Sequence, residues 1–136
     1  MSKASLTIIM TNLPLTDTDP VHVEVWKKML EPLGIVVDKE YFRTHISGGH
    51  NVELIRRYFG ADMPEDEAMR IGEEKEAQFR QLAEEKNMMH PINGLVGLLE
   101  QAVAVGLPMM CVTNAPRSNA EWMLRVLKLP QYFGGK

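Results

Sequence analysis

Residues 108–129 read PMMCVTNAPRSNAEWMLRVLKL. The stretch opens on a short apolar run, Met109 to Val112, bounded by Gly106 and Pro108. A run this short between turn residues predicts a buried parallel strand. Thr113 and Asn114 end it with polar side chains, and Ala115, Pro116 and Arg117 make a turn. Ser118 and Glu121 have the S-x-x-E spacing of a capping box, which predicts a helix from Ser118. Ala120, Met123, Leu124 and Leu127 recur at helical spacing and mark its inner face. The unit is strand, polar tip, turn, helix. Ligands of open α/β sheets bind just beyond the carboxyl ends of the strands, which is where Thr113 and Asn114 fall.

Working outward, Asn93 is positioned to cap a preceding helix with Leu95, Leu98, Leu99, Ala102 and Val105 on its inner face. Near the front, Leu6 to Met10 (LTIIM) is a second continuous apolar run and predicts another buried strand. A polar loop broken by Pro14 follows. Asp19-Pro20 reads as an N-cap with proline at the first helical position. The helix it opens carries Val25, Trp26, Met29, Leu30 and Leu33 on one face and ends at Gly34. Asp38 caps a short helix through Tyr41 and Phe42, and His45 to His50 (HISGGH) is a glycine-centred loop. Asn51 starts a helix with Val52, Ile55, Tyr58 and Phe59 inward and Gly60 at its close. Pro64 opens a long charged helix to about Lys86, with a thin stripe of Ala68, Gly72, Phe79, Leu82 and Ala83. A stripe that thin predicts an exposed helix with one packed edge.

The totals narrow the function classes. At 136 residues, one compact domain is the default. Fifteen basic against eighteen acidic residues give a net charge of -3, so nothing points to a nucleic-acid surface. The single cysteine, Cys111, forms no internal disulfide and fits a reducing compartment. The N-terminal apolar run is too short for a signal peptide or membrane span, so a cytoplasmic protein with no membrane partner is expected. Ten methionines supply flexible core filler.

Taken together, VTNAPRSNAE, the flank TDTDPVH within LTIIMTNLPLTDTDPVHVEVWKKML, and HPINGLVGLLEQAVAVGLP resemble the haloacid dehalogenase (HAD) superfamily, in its sugar-phosphatase and β-phosphoglucomutase-like branch. The similarity covers most of residues 5–133. It implies an α/β fold: a reduced Rossmann-like core with few parallel strands, at residues 1–19 and 87–136, and a helical cap inserted at 20–86. It also implies a hydrolase acting on phosphate esters with Mg²⁺. Thr113 and Asn114 then contact phosphate, and the loop holding His45, Gly48, Gly49 and His50 falls where the cap would meet substrate.

The family's reaction needs an aspartate nucleophile ending the first strand and an aspartate acid/base two residues on. It also needs a later lysine and further acidic residues for Mg²⁺. With Asp17-Thr18-Asp19-Pro20 aligned on the family's flank, the nucleophile position falls on Met10 and the acid/base position on Asn12. Leu13-Pro14 stands where the family has Gly-Thr. A thioether is no nucleophile towards phosphorus and no carboxylate ligand for Mg²⁺. Asn12 hydrogen-bonds but cannot shuttle a proton. The chain is also expected to stop short of the third and fourth motifs, and neither Arg117 nor Lys128 occupies the lysine motif. Catalysis and a bound metal are therefore both expected to be absent.

Other residues offer plain readings beside sharper ones. Asp17 and Asp19 are a candidate cation pair or, more plainly, a cap and a loop-stabilising side chain. His45 and His50 are five apart, not the i,i+4 spacing of a helical metal pair, so a solvated loop is the simpler reading. His22 and His90 read as structural or solvated. Cys111 reads as a buried, inert thiol. Thr113, Asn114 and the helix start beyond them form an anion nook or merely shape the turn. Two strands leave two open edges, which invites pairing with a second copy. Self-association, as a homodimer, is thus expected, with a weakly held anion or phosphate as the other partner. A degenerate natural relative and a shortened, engineered HAD protein both account for the erased motifs, and intact flanks lean towards engineering. The alternative to a silenced hydrolase is a non-catalytic self-associating scaffold.

Overall fold

The computed structural model describes residues 8–11, 15–113 and 115–133. The readings placed on Leu6, Asn12, Leu13-Pro14 and Asn114 lie outside the described residues. The chain divides into two compact units, Thr18–Met88 and Met1–Asp17 with Met89–Lys136. Among the described residues no helix is long and apolar enough to cross a membrane.

In the second of these units, β1 (Ile8–Thr11) and β2 (Met109–Val112) pair in parallel. Ile8 stands opposite Met109 and Met10 opposite Cys111. Helix α5 (Leu95–Ala104) leads into β2, and α6 (Arg117–Val126) and the short α7 (Pro130–Phe133) follow it. Leu95, Leu99, Ala102, Trp122, Leu127 and Leu129 are buried. The expectation of a fully buried β2 fails. Successive side chains point to opposite faces of a strand, and on one face Met110 and Val112 remain 55% and 41% exposed. A continuous apolar run signals two-sided burial only when both faces of the sheet are covered.

The capping box at Ser118 and Glu121 is also not formed. Helix α6 starts one residue earlier, with Pro116 in the cap position and no side-chain cap. Glu121 instead accepts from Arg117 Nε at 2.7 Å. The inner face of α6 turns accordingly onto Asn119 and Trp122 rather than Ala120, Met123 and Leu124. In α5 the cap position is Gly94, in the left-handed region at φ 84°, not Asn93. Leu98 and Val105, expected inside, are exposed. Five apolar residues in eleven overstate a helix's inner face when its partners cover only one side.

The unit Thr18–Met88 is all helical. It runs α1 (Asp19–Leu30), a 3₁₀ turn (Glu31–Leu33), α2 (Lys39–His45), α3 (Asn51–Phe59) and α4 (Glu65–Glu85). Thr18, not Asp19, holds the cap position of α1. Asp19 sits in the first turn, where a carboxylate complements the helix dipole. Pro32 tightens the exit of α1 into the 3₁₀ turn, and Gly34 closes it at φ 74°. This turn carries Leu33 outward, against expectation. Asp38 Oδ1 caps α2 by accepting from the Tyr41 amide at 2.7 Å. In α3 the buried residues are Leu54 and Ile55, whereas Phe59 is exposed. The core packs Trp26, Leu30, Val37, Phe42, Ile46, Leu54, Ile55 and Ala68 together.

His22 is part of this packing. Its ring stacks on Phe79 at a centroid distance of 4.2 Å and lies 6.3 Å from Phe42. Burial, then the charge of Lys75, pull its pKa down from 6.5 to about 4, with Glu76 opposing. The unfolded chain therefore binds a proton that the folded one rejects between these two values. Stability should be greatest above pH 6.5, fall as pH drops towards 4, and level off below, losing about 3 kcal/mol in all from this group. Urea titrations across pH 4–7 check this, and His22→Gln should flatten that segment of the profile. Phe79 is 1% exposed. Phe79→Ala should cost about 3–5 kcal/mol in the same assay at pH 7.

Candidate functional site

The helical unit forms a half-open cavity of about 220 Å³. Helix α1 contributes Asp19, His22 and Trp26, which share one face at i, i+3 and i+7. The end of α2 adds Phe42, and the loop beyond it adds Ile46, Ser47, Gly48 and Gly49. Helix α3 places Asn51 and Leu54 on the wall from its first turn, and Lys75 projects from the middle of α4. The two glycines suit the loop for different reasons. Gly48 adopts φ 79°, a left-handed conformation that glycine takes without strain. A Cβ on Gly49 would stand 3.0 Å from the Leu54 side chain, tighter than ordinary contact, so a larger residue here requires Leu54 to shift.

The polar side of the cavity is a buried ionic network. Lys75 and Glu76 are 4% and 3% exposed. Lys75 Nζ donates to Glu76 Oε1 at 2.5 Å and to Asn51 Oδ1 at 3.0 Å. Asn51 Nδ2 donates to the same carboxylate oxygen at 2.7 Å. The amide of Asn51 thus answers both members of the ion pair and ties α3 to α4. Lys75 Nζ also lies 5.5 Å above the Trp26 ring, a cation–π distance. Buried charges persist only when paired and hydrogen-bonded, and this set meets that condition. Close packing makes room for it: a Cβ on Gly72 would meet Asn51 Cβ at 3.3 Å.

The residues singled out from sequence divide between this cavity and elsewhere. Gly48 and Gly49 line it. His45 and His50 do not. His45 is exposed, stacks on Tyr41 at 4.3 Å and offers its carbonyl to Arg57 Nη1 at 3.0 Å. His50 holds the cap position of α3. In the other unit, Thr113 is exposed and its Oγ1 accepts from the Ala115 amide at 3.1 Å. Cys111 is half-buried rather than buried, and desolvation raises its pKa. Sequence reasoning missed Lys75, Glu76 and Asn51. The signal was a gap: Ala68, Gly72, Phe79 and Ala83 skip the one turn of α4 that helical spacing also turns inward, at residues 75 and 76.

Known proteins share this architecture. The chain is similar to a HAD hydrolase of family IA, variant 3, from Entamoeba histolytica, at 20% identity and a TM-score of 0.78, over 93% of this chain and 57% of that one. It is similar to a β-phosphoglucomutase from Clostridium difficile, at 22% identity and a TM-score of 0.75, over 96% of this chain and 59% of the other. CbbY from Rhodobacter sphaeroides, solved in complex with phosphate, matches at 20% identity and a TM-score of 0.72, over 93% and 60%. The chain thus spans about three-fifths of the length of these solved structures. At these identities the likeness shows the fold. The model of the haloacid dehalogenase-like hydrolases matches residues 14–134, nearly the whole chain, and the protein belongs to that family.

Proposed function

We propose that this is a phosphatase-like family member that does not run phosphoryl transfer at its first strand and whose working site is the cavity of the helical unit. The observation that carries the reading is the residue near the carboxyl end of β1. Met10 occupies the strand's penultimate position, in register with Cys111. By resemblance this is the place of the attacking carboxylate. A thioether has no anionic oxygen for phosphorus. Mg²⁺, which the family implies, is a hard cation that takes oxygen donors. The residue at this position does not fit the ion.

Asn12, at the acid/base position by resemblance, has an amide that hydrogen-bonds without supplying a titratable proton. Thr113 and Asn114 keep a role as weak phosphate contacts, in line with the phosphate held by the Rhodobacter relative. The engagement of Thr113 Oγ1 by the Ala115 amide supports turn-shaping beside that role. No release of phosphate from p-nitrophenyl phosphate or a sugar phosphate is expected above the buffer rate, with or without Mg²⁺. Turnover that Thr113→Ala or Asn12→Ala abolishes would overturn the silent strand tip. Turnover that survives both would locate the chemistry elsewhere.

A second reading, a self-associating scaffold, is favoured by the exposure of Met110, Val112, Val103 and Val105 in one unit. Large exposed apolar side chains at this density mark association surfaces. Sedimentation at about 10–50 µM, around the reach of ordinary protein affinities, should show dimers or larger species. The double change Met110→Lys, Val112→Lys should return the chain to monomer, and a wild-type monomer in that range would exclude the scaffold.

A further inference from the structure

We infer that Tyr41 and Tyr58 form a site of oxidative modification, where one-electron oxidants join the two phenol rings into an intramolecular dityrosine bond that fastens α2 to α3. The two residues stand 17 positions apart in sequence, yet their hydroxyls lie 3.2 Å apart, one donating to the other. Each ring also packs against a second aromatic neighbour. Tyr41 stacks on His45 at 4.3 Å, with the ring planes 18° apart. Tyr58 meets the Trp26 indole at 6.1 Å, tilted by 55°. Both tyrosines are half-buried against the core, so the pair is positioned from within and open to a small oxidant from outside. Burial, then the contact with Tyr41, push the Tyr58 phenol up to about 12, with Arg57 opposing, so it keeps its proton at neutral pH.

The step balances with hydrogen peroxide, used by a haem peroxidase, as the oxidant. Each phenol gives up one electron and its hydroxyl proton and becomes a tyrosyl radical. The unpaired electron is shared between the oxygen and ring carbons that include the two beside the C–O carbon. A bond forms between one such carbon on each ring. The hydrogen on each of these carbons then moves to its own ring's oxygen, which restores both phenols. The pair has lost two electrons and two protons, and peroxide takes them up to give two waters. The bonding carbons adjoin the carbons that bear the hydroxyls, so a hydroxyl contact brings them near as well. Holding two reactants together raises their effective concentration far above that of partners meeting in solution. Tyr132, the one other tyrosine, lies in the other unit with its hydroxyl donating to Glu100, and serves as a built-in comparison.

The test treats dilute full-length protein, about 1 µM, with a haem peroxidase and hydrogen peroxide, then digests it with trypsin. The expected product is one linked pair of peptides, residues 40–43 and 58–70, lighter than their sum by two hydrogen atoms, in a chain of unchanged size on a denaturing gel. Tyr41→Phe or Tyr58→Phe should abolish it, and Tyr132→Phe should leave it. Prior unfolding in urea should lower the yield at least about tenfold, since the two rings then lose their fixed positions. The linked protein should also unfold at a higher temperature, because the new bond constrains the unfolded chain between residues 41 and 58. Links chiefly between chains through Tyr132, or oxidised tryptophan and methionine with no such peptide pair, would overturn the inference. So would a yield that urea leaves unchanged, a comparison that needs no variant to fold. An unchanged unfolding temperature would overturn the fastening of α2 to α3.

Discussion

The helical unit depends on one buried interaction, the ion pair of Lys75 and Glu76 held by the amide of Asn51. Neighbours in a helix sequence project about 100° apart, so these two side chains do not face each other by default. The long stem of Lys75 bends its ammonium to Oε1 at 2.5 Å, and Asn51 crosses from α3 to complete the set. Losing one member would strand a buried charge, which costs far more than the pair contributes when whole. That asymmetry fixes the register of α3 against α4. It also explains why glycine stands at position 72, where the helices approach within van der Waals contact of Asn51.

The same pair sets the electrostatics around His22. The Lys75 charge lowers its pKa and the Glu76 charge raises it, so the two partly cancel and desolvation dominates. A neutral imidazole stacked on Phe79 then behaves as an aromatic core residue with polar edges. Packing and charge are one constraint here: the ring can be buried because it is neutral, and it stays neutral because it is buried.

Much of the fold was legible in the sequence, and the failures have a common cause. β2 was legible to the residue, since turn residues bound the MMCV run on one side and a polar tip on the other. Asp38 declared its own helix because its carboxylate reaches the Tyr41 amide whatever lies beyond. Local rules failed where a competing local rule won. Pro116, with φ fixed near the value a helix entry needs, began α6 before Ser118 could cap it. Gly94 took the cap position of α5 from Asn93 by its left-handed conformation. Apolar character overstated burial at Leu98, Val105 and Met110, because hydrophobicity states what can be buried and not what covers it. The candidate site was the least legible part. Gly48 and Gly49 stood out as a loop, but Lys75 and Glu76 look like solvated charges in a helix rich in them. Only the missing step in the stripe of α4 betrayed them.

Binding and turnover rest on different kinds of sequence information in this fold. Phosphoryl transfer asks for a few specific polar groups at strand tips, and on the reading proposed for Met10 a single apolar exchange removes one of them without disturbing a strand that any apolar residue suits. A cavity made by four helices asks instead for many mutually consistent packing choices. Trp26, Phe42, Leu54 and the network around Lys75 each serve stability as well as the wall. The named partners of that network all lie within Thr18–Met88. Its upkeep therefore falls on the folding of the helical unit, not on the chemistry of the strand tip. A chain can lose the second and keep the first, because the residues that build the cavity are the ones that hold the unit together.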